Sequence, residues 1–177
     1  MREFTMTDSY CPYLRMSISQ TKIRIVTPQD IPQVLDLIKE LAEYERAPNE
    51  VTNTVEQMLE DGFGNNPVYG LFVAEIDGKI VGIALHYIRY STWKGKMLYL
   101  EDIVVRETMR GNGIGALLFE ECILLAKEKN YAGIVWQVLG WNEPALNFYK
   151  KYNAELDAEW VNGRISRAQF DTVLAKR

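Results

Sequence analysis

The 177-residue chain is poor in the residues that build metal and redox centres, with two cysteines, Cys11 and Cys122, and a single histidine, His86. The two thiols share no motif, which fits a reduced, cytoplasmic protein better than a disulfide-stapled secreted one. With one histidine, no zinc site and no other metal centre is expected. A Cys–His nucleophile is not expected either, because Cys122 falls in a helical pattern where a thiol packs as a small hydrophobe. Long apolar runs are also missing. The longest stretches without a charged side chain are 13 residues, Gly62 to Ala74 and Asn130 to Asn142, short of the ~18 that suggest a membrane span. Nor is there an excess of positive charge. Lys+Arg 20 against Asp+Glu 24 give a net −4, which argues against a nucleic-acid partner. Repeats and low-complexity linkers are absent from the sequence.

What remains is 47% hydrophobic and 25% charged, the composition of a globular domain able to bury roughly two-thirds of its unfolded surface. Residues 1–15 show neither helical nor strand periodicity and no apolar core of a signal peptide. Residues 1–16 are therefore expected to be an N-terminal extension without fixed structure, and 17–177 a single domain. Lys22 to Val26 reads as a short strand. Thr27-Pro28 opens a helix of about 18 residues, with Ile31, Val34, Leu35, Ile38 and Leu41 at helical spacing. A second helix is expected over Thr52 to Asp61. Leu71 to Ile76 and Lys79 to Leu85 form a hairpin about Asp77-Gly78. A loop containing Trp93-Lys94-Gly95 precedes a long strand, Met97 to Val105. A helix through Ile114, Leu118 and Cys122, a buried strand from Ile134 to Leu139 and a short helix from Asn142 to Lys151 follow. Two weak strands, Leu156 to Val161 and Ile165 to Phe170, complete a mixed α/β domain. His86, inside a strand, is read as structural.

The most informative local feature is a strand followed by Arg110-Gly111-Asn112-Gly113-Ile114-Gly115-Ala116 and an amphipathic helix. Glycines let a ligand approach the backbone, and a helix N-terminus presents unpaired N–H groups with partial positive charge, which is chemistry for a pyrophosphate. Arg110 adds a fixed cation. A kinase-type P-loop needs Gly-Lys-Ser/Thr, which Gly115-Ala116-Leu117 lacks. A dinucleotide-binding loop fits through Gly111, Gly113 and Ala116. It also expects an acidic residue about 20 positions on, and none occurs from Tyr131 to Asn142. The third reading is the acetyl-CoA loop R/Q-x-x-G-x-G, satisfied by Arg110, Gly113 and Gly115. The bland alternative is a turn with spare glycines.

Five blocks carry a resemblance over Lys22 to about Phe170. They are Ile38-Lys39-Glu40-Leu41-Ala42-Glu43-Tyr44-Glu45, Glu60-Asp61-Gly62-Phe63-Gly64, Leu98-Tyr99-Leu100-Glu101-Asp102, Trp141-Asn142-Glu143-Pro144 and Asn147-Phe148-Tyr149-Lys150. The sequence resembles the GNAT superfamily of N-acetyltransferases and, within it, the spermidine/spermine acetyltransferase family. Tyr90-Ser91-Thr92-Trp93-Lys94-Gly95 is most similar to the thialysine Nε-acetyltransferase branch, since the polyamine branch usually carries an Asp where Ser91 stands. The resemblance implies the GNAT fold, a mixed and mostly antiparallel sheet of about six to seven strands flanked by about four helices. It also implies a homodimer and acetyl-CoA as co-substrate, with a small diamine-like or thialysine-like amine as acceptor. A polyamine acetyltransferase is the nearest alternative, and a non-catalytic acetyl-CoA-binding regulator the alternative of another class.

The resemblance assigns roles residue by residue. A lysine-like ammonium has a pKa of ~10.4, so at pH 7 about one molecule in a few thousand is nucleophilic, a cost on the order of 4–5 kcal/mol. A base near the amine and a proton donor near the leaving thiolate are therefore needed. Tyr149 is the expected donor and Glu101 the expected base, acting through a water. Consecutive Glu101-Asp102 on a regular strand puts one carboxylate on each face of the sheet. Ile103, Val104 and Val105 are assigned to the pantetheine arm through their backbone, and Arg110 to Ala116 to the pyrophosphate. Asn142, Ala145 and Tyr149 complete the cofactor contacts. Tyr44, Glu45 and Asp102 are substrate contacts, and Trp93 is expected to close the amine pocket. From Asp36 to Asp61 there are eight acids and two bases, net −6, leaving +2 for the rest of the chain. Such local acidity suits a cationic amine, although a solvated helix face explains any one residue equally well.

Overall fold

The computed structural model describes residues 20–175. The expected extension over residues 1–16 and Cys11 lie outside the described residues. Two compact units divide between Gln137 and Val138.

The first unit begins with β1 (Lys22–Ile25) and a 3-10 turn over Pro28–Asp30 that leads into α1 (Ile31–Tyr44). The Thr27 amide and hydroxyl both donate to the Asp30 carboxylate, at 2.7 and 2.8 Å. Arg24 forks onto the same carboxylate at 2.6 and 2.9 Å, and its Nε reaches Glu75 on β2 (Gly70–Ile76) at 2.7 Å. Strand, turn and neighbouring strand are thus tied by one guanidinium. In α2 (Val55–Phe63) the first turn is capped by the Thr54 hydroxyl, which accepts from the Gln57 amide at 3.1 Å.

β3 (Lys79–Ser91) follows a two-residue turn in which Asp77 and Gly78 both have positive φ, +49° and +74°. Those angles match the right-handed twist of the flanking strands, and only residues such as Asp-Gly adopt them cheaply. β3 then runs six residues past the expected Leu85 end. It turns back at Thr92–Lys94 into β4 (Gly95–Val105), so the expected loop is a tight hairpin. The Ser91 hydroxyl accepts from the Trp93 and Lys94 amides at 3.3 and 3.2 Å and holds that turn.

The sheet order is β1-β2-β3-β4-β5, antiparallel except for β5 (Ile134–Trp136), which runs parallel to β4. One face is covered by α1 and α2, whose Ile31, Val34, Leu37 and Met58 pack with Val73, Ile83 and Val104. The other is covered by α3 (Ile114–Glu128). There Ile114 and Leu118 come so close to Gly82 that a Cβ would meet Leu118 at 3.1 Å and the Val104 carbonyl at 3.0 Å. Cys122 is fully buried in α3, and burial pushes its thiol up to about 12.

The second unit holds α4 (Glu143–Lys150) and a short α5 (Phe170–Leu174). The two expected C-terminal strands do not form, so the described residues carry five strands rather than six or seven. The reason is local. Residues 155–175 are exposed throughout and have no ladder partner. Asp157 turns the chain by accepting from the Glu159 amide at 2.8 Å. Ser166 donates to Gln169 from both its amide and its hydroxyl, each at 2.9 Å, which is a helix-starting box rather than a strand.

Candidate active site

β3 and β4 are paired residue for residue except at one place. Leu85 faces Asp102 while His86 faces Leu100, so Glu101 is the extra residue of a β-bulge. Bulges re-aim side chains, and this one corrects the expectation that Glu101 and Asp102 point to opposite faces. Leu85, Tyr87 and Arg89 alternate onto one face of β3, opposite Asp102, Tyr99 and Met97. The Tyr87 hydroxyl hydrogen-bonds Glu101, which draws that carboxylate to the same face as Asp102. The rings of Tyr87 and Tyr99 stack at 5.0 Å between centroids.

This face carries the carboxylates Glu101 and Asp102 and the cation Arg89, and among the described residues none of them is in an ion pair. Asp102 is half-buried, and desolvation together with the charges of Glu101 and Glu45 pushes its carboxyl up to about 6. Glu45, which caps the C-terminus of α1, is also raised by desolvation. Tyr87 is pushed up to about 12, by burial first and by Glu101 second. Among the described residues none of the three carboxylates forms an ion pair. Two desolvated acids, Asp102 and Glu45, beside the exposed Glu101 and with no cation at ion-pair distance, are what a candidate functional site presents.

The glycine loop lies beyond the end of β4. Arg106 donates to the Val81 carbonyl at 2.8 Å across the β3 ladder. Alternation then turns the backbone groups of Val105 and Ile103 to the other edge, where β5 pairs only with Leu98 to Leu100. No strand of the sheet pairs along that edge beside either residue, and the Val105 carbonyl there accepts from the Arg110 side chain. The Val104 side chain is core, so Val104 offers nothing but backbone. Gly111 and Gly113 have φ of +79° and +78°, and α3 starts at Ile114 with no side-chain cap. A Cβ on Gly111 would meet nothing within 4 Å, so the loop presents an open cradle of N–H groups. Asn112 is buried and shapes the loop by donating to the Met109 and Arg110 carbonyls at 3.1 and 3.3 Å. Ile114 sends its side chain into the core. Gly115 and Ala116 follow in the first turn. The residues present therefore fit a pyrophosphate-bearing ligand whose arm lies along β4.

A cleft of about 380 Å³ separates the end of α1, at Glu40, Glu43 and Tyr44, from the turn that carries Arg106 and Arg110. Arg106 pairs with Glu40 at 2.5 Å. The Arg110 guanidinium lies 4.9 Å above the Tyr44 ring, and its Nε donates to the Val105 carbonyl at 3.0 Å. The residue expected at the cofactor, Arg110, thus stacks on one expected at the substrate, Tyr44.

One expected group behaves differently. Trp93 is 87% exposed at the β3–β4 turn. The six residues from Gly95 to Glu101 put it about 20 Å along the strand from the bulge, so within one chain it closes no pocket there. Asn142, Ala145 and Tyr149 belong to the second unit. The Asn142 side-chain oxygen accepts from the Ala145 amide at 3.2 Å and caps α4, and Tyr149 is buried with its ring 5.1 Å from Phe148. His86 is held near neutral form, its imidazole lowered to about 4 by burial, and it packs on Phe72 and Gly70. Tyr87, Tyr99 and Arg89 were missed by sequence reading. Strict alternation along Leu85-His86-Tyr87-Ile88-Arg89 was the available signal.

A mixed sheet with helices on both faces and a glycine-opened helix at the end of a strand is an α/β architecture suited to a phosphate-bearing ligand. The profile of the Acetyltransferase (GNAT) family matches residues 33–154, and the chain belongs to that family. It is an N-acetyltransferase. Its sequence is 40% identical to the thialysine N-epsilon-acetyltransferase of Bos taurus over 141 residues, 75% of this chain and 83% of that protein. It is 34% identical to the human spermidine/spermine N(1)-acetyltransferase-like protein 1 over 87% of this chain and 24% of that longer protein. An aminoglycoside N-acetyltransferase crystallised with CoA shares the fold, with a TM-score of 0.65 and 19% identity over 83% of this chain and 95% of that one.

Proposed function

We propose that the chain transfers acetyl from acetyl-CoA to the primary amine of a small diamine-like or thialysine-like substrate, by direct attack in a ternary complex. The observation that carries this reading is the group of Glu45, Glu101 and Asp102, none of them in an ion pair among the described residues, with Asp102 raised to about 6. A cationic amine is attracted there, and a carboxylate of that pKa takes a proton more readily at neutral pH than an ordinary one. Similarity to a thialysine acetyltransferase of known name supports the same acceptor class. Domain 17–177 acts as the catalytic domain of a cytoplasmic homodimer in this reading.

Each group then has one task. The N–H groups of Gly111 to Ala116 hold the pyrophosphate, and Arg110 neutralises part of its charge. The open-edge backbone of Ile103 and the Val105 amide align the pantetheine arm, and the family resemblance assigns Asn142 and Ala145 to the same cofactor. Bound acetyl-CoA supplies the activated thioester carbonyl. Glu101, oriented by the Tyr87 hydroxyl, takes the ammonium proton through a water, with the raised Asp102 carboxyl beside it. Tyr44 and Glu45 flank the amine. The Tyr149 hydroxyl protonates the departing thiolate.

Release of CoA thiol from acetyl-CoA, measured with thialysine, lysine, short diamines, spermidine and spermine, tests the reading. Turnover selective for thialysine, with kcat lowered about 10²–10³-fold in Tyr149→Phe, is expected. Preference for spermidine favours the polyamine alternative. Binding of acetyl-CoA without turnover of any amine favours the regulatory one.

A further inference from the structure

We propose that Arg89 is a specificity-determining residue. In this assignment its guanidinium receives the carboxylate of an amino-acid-type substrate whose far amine lies at Glu101 and Asp102. The chain thereby selects amino-acid diamines over bare polyamines. The proposal rests on the amine-acetylation reading above and adds to it the chemistry of the substrate's other end.

Arg89 stands on the same face of β3 as Tyr87, with Met97 as its β4 partner. Its guanidinium carbon lies 5.8 Å from the centroid of the Tyr99 ring, and that ring stacks on Tyr87, the residue bonded to Glu101. One aromatic pair therefore floors the space between the carboxylates and the guanidinium. Burial is the main cause that raises the Tyr99 phenol, and both poles act on it as well, Glu101 and Asp102 raising it and Arg89 lowering it. Arg89 is exposed, and among the described residues no carboxylate lies within ion-pair distance of it. A cation with no anion sits at one end of an aromatic floor, and anions with no cation sit at the other.

The spacing suits a specific kind of ligand. Met97 is four residues from Glu101, about 13 Å of strand, and the Arg89 side chain leans back over Tyr99 to shorten the gap. An extended lysine-length chain separates amine nitrogen from carboxylate by about 7–8 Å, and a hydrogen bond at each end spans the remainder. A guanidinium binds a carboxylate through two parallel N–H donors. It repels the second ammonium of a polyamine, which is discrimination by a built-in unfavourable contact.

The test compares a carboxylated substrate with the same chain lacking the carboxylate, thialysine against its decarboxylated diamine. Wild type, Arg89→Gln and Arg89→Lys are assayed with acetyl-CoA saturating. Wild type is expected to favour thialysine. Arg89→Gln is expected to lower kcat/KM for thialysine about 10–30-fold, mainly through KM, and to raise that for the diamine a few-fold. Arg89→Lys restores part of the preference. An unchanged preference ratio in Arg89→Gln overturns the proposal, whether neither substrate or both are affected, and so does a wild type that prefers the diamine. Calorimetric binding of the same two compounds to the CoA-loaded protein reads the ratio without turnover. Failure to acetylate either compound thus counts against the enzyme reading, whereas a binding ratio indifferent to Arg89→Gln counts against this one.

Discussion

Asp30 and Asp102 are both withdrawn from water in the first unit, and they titrate in opposite directions. Asp30 accepts from Arg24, from the Thr27 amide and from the Thr27 hydroxyl, and the guanidinium holds its carboxyl well below the usual range. Asp102 has Glu101 and Glu45 as its charged neighbours, and burial pushes it up to about 6. At Asp30 the hydrogen-bond partners outweigh burial, and at Asp102 burial acts with no such partner to oppose it. A carboxylate whose lone pairs are all taken serves the fold. One whose neighbours are other carboxylates is destabilised in its charged form and remains available to a proton or a cationic ligand.

The comparison sharpens most at the reacting face. Asp102→Asn and Glu101→Gln are each expected to lower kcat/KM about 10²–10³-fold. Asp102→Asn is expected to leave folding stability at pH 8 unchanged or raised by about 1 kcal/mol, because it removes a desolvated charge; chemical denaturation read beside the assay separates the two effects. At the structural cluster the outcome reverses. Asp30→Asn strips Arg24 of one anion and is expected to cost about 2–3 kcal/mol of stability while the folded fraction keeps its kcat.

The smallest effect is in the pH dependence of stability, and its signs differ. Asp30, lowered in the folded state, contributes stability above about pH 4 that is lost on acidification. Asp102, raised in the folded state, binds its proton more tightly when folded. Its contribution is fullest below pH 4 and is lost as pH rises through about 6. Urea midpoints of wild type and Asp102→Asn between pH 4 and 8 are expected to diverge as pH rises, with the variant relatively more stable at the upper end. Parallel curves would remove the distinction between the two carboxylates.

Much of this was readable from local chemistry. Thr27-Pro28 with Asp30, the Asp77-Gly78 turn and the Arg110–Gly115 loop each use residues whose short-range geometry leaves few alternatives, and each stands where expected. The bulge at Glu101 was not readable. It depends on which β3 residue meets which β4 residue, a long-range match that alternation within one strand does not contain. Missing the bulge split the acidic pair between two faces and hid Tyr87 and Arg89 as its neighbours. The C-terminal region failed for another reason. Apolar Leu156, Trp160 and Ile165 suggested strands, while Ser166 and Gln169 already spelled a helix start that outweighed them.

The pH dependence of kcat/KM with thialysine at saturating acetyl-CoA, in wild type and Asp102→Asn, tests the central claim most directly. An acidic limb with an apparent pKa near 6 is expected in wild type, since a proton on Asp102 removes a negative charge that attracts the amine and stands beside the base. That limb should vanish or move by more than one pH unit in the variant. The same limb in both proteins, or none between pH 5 and 7, would mean that these carboxylates do not carry the chemistry.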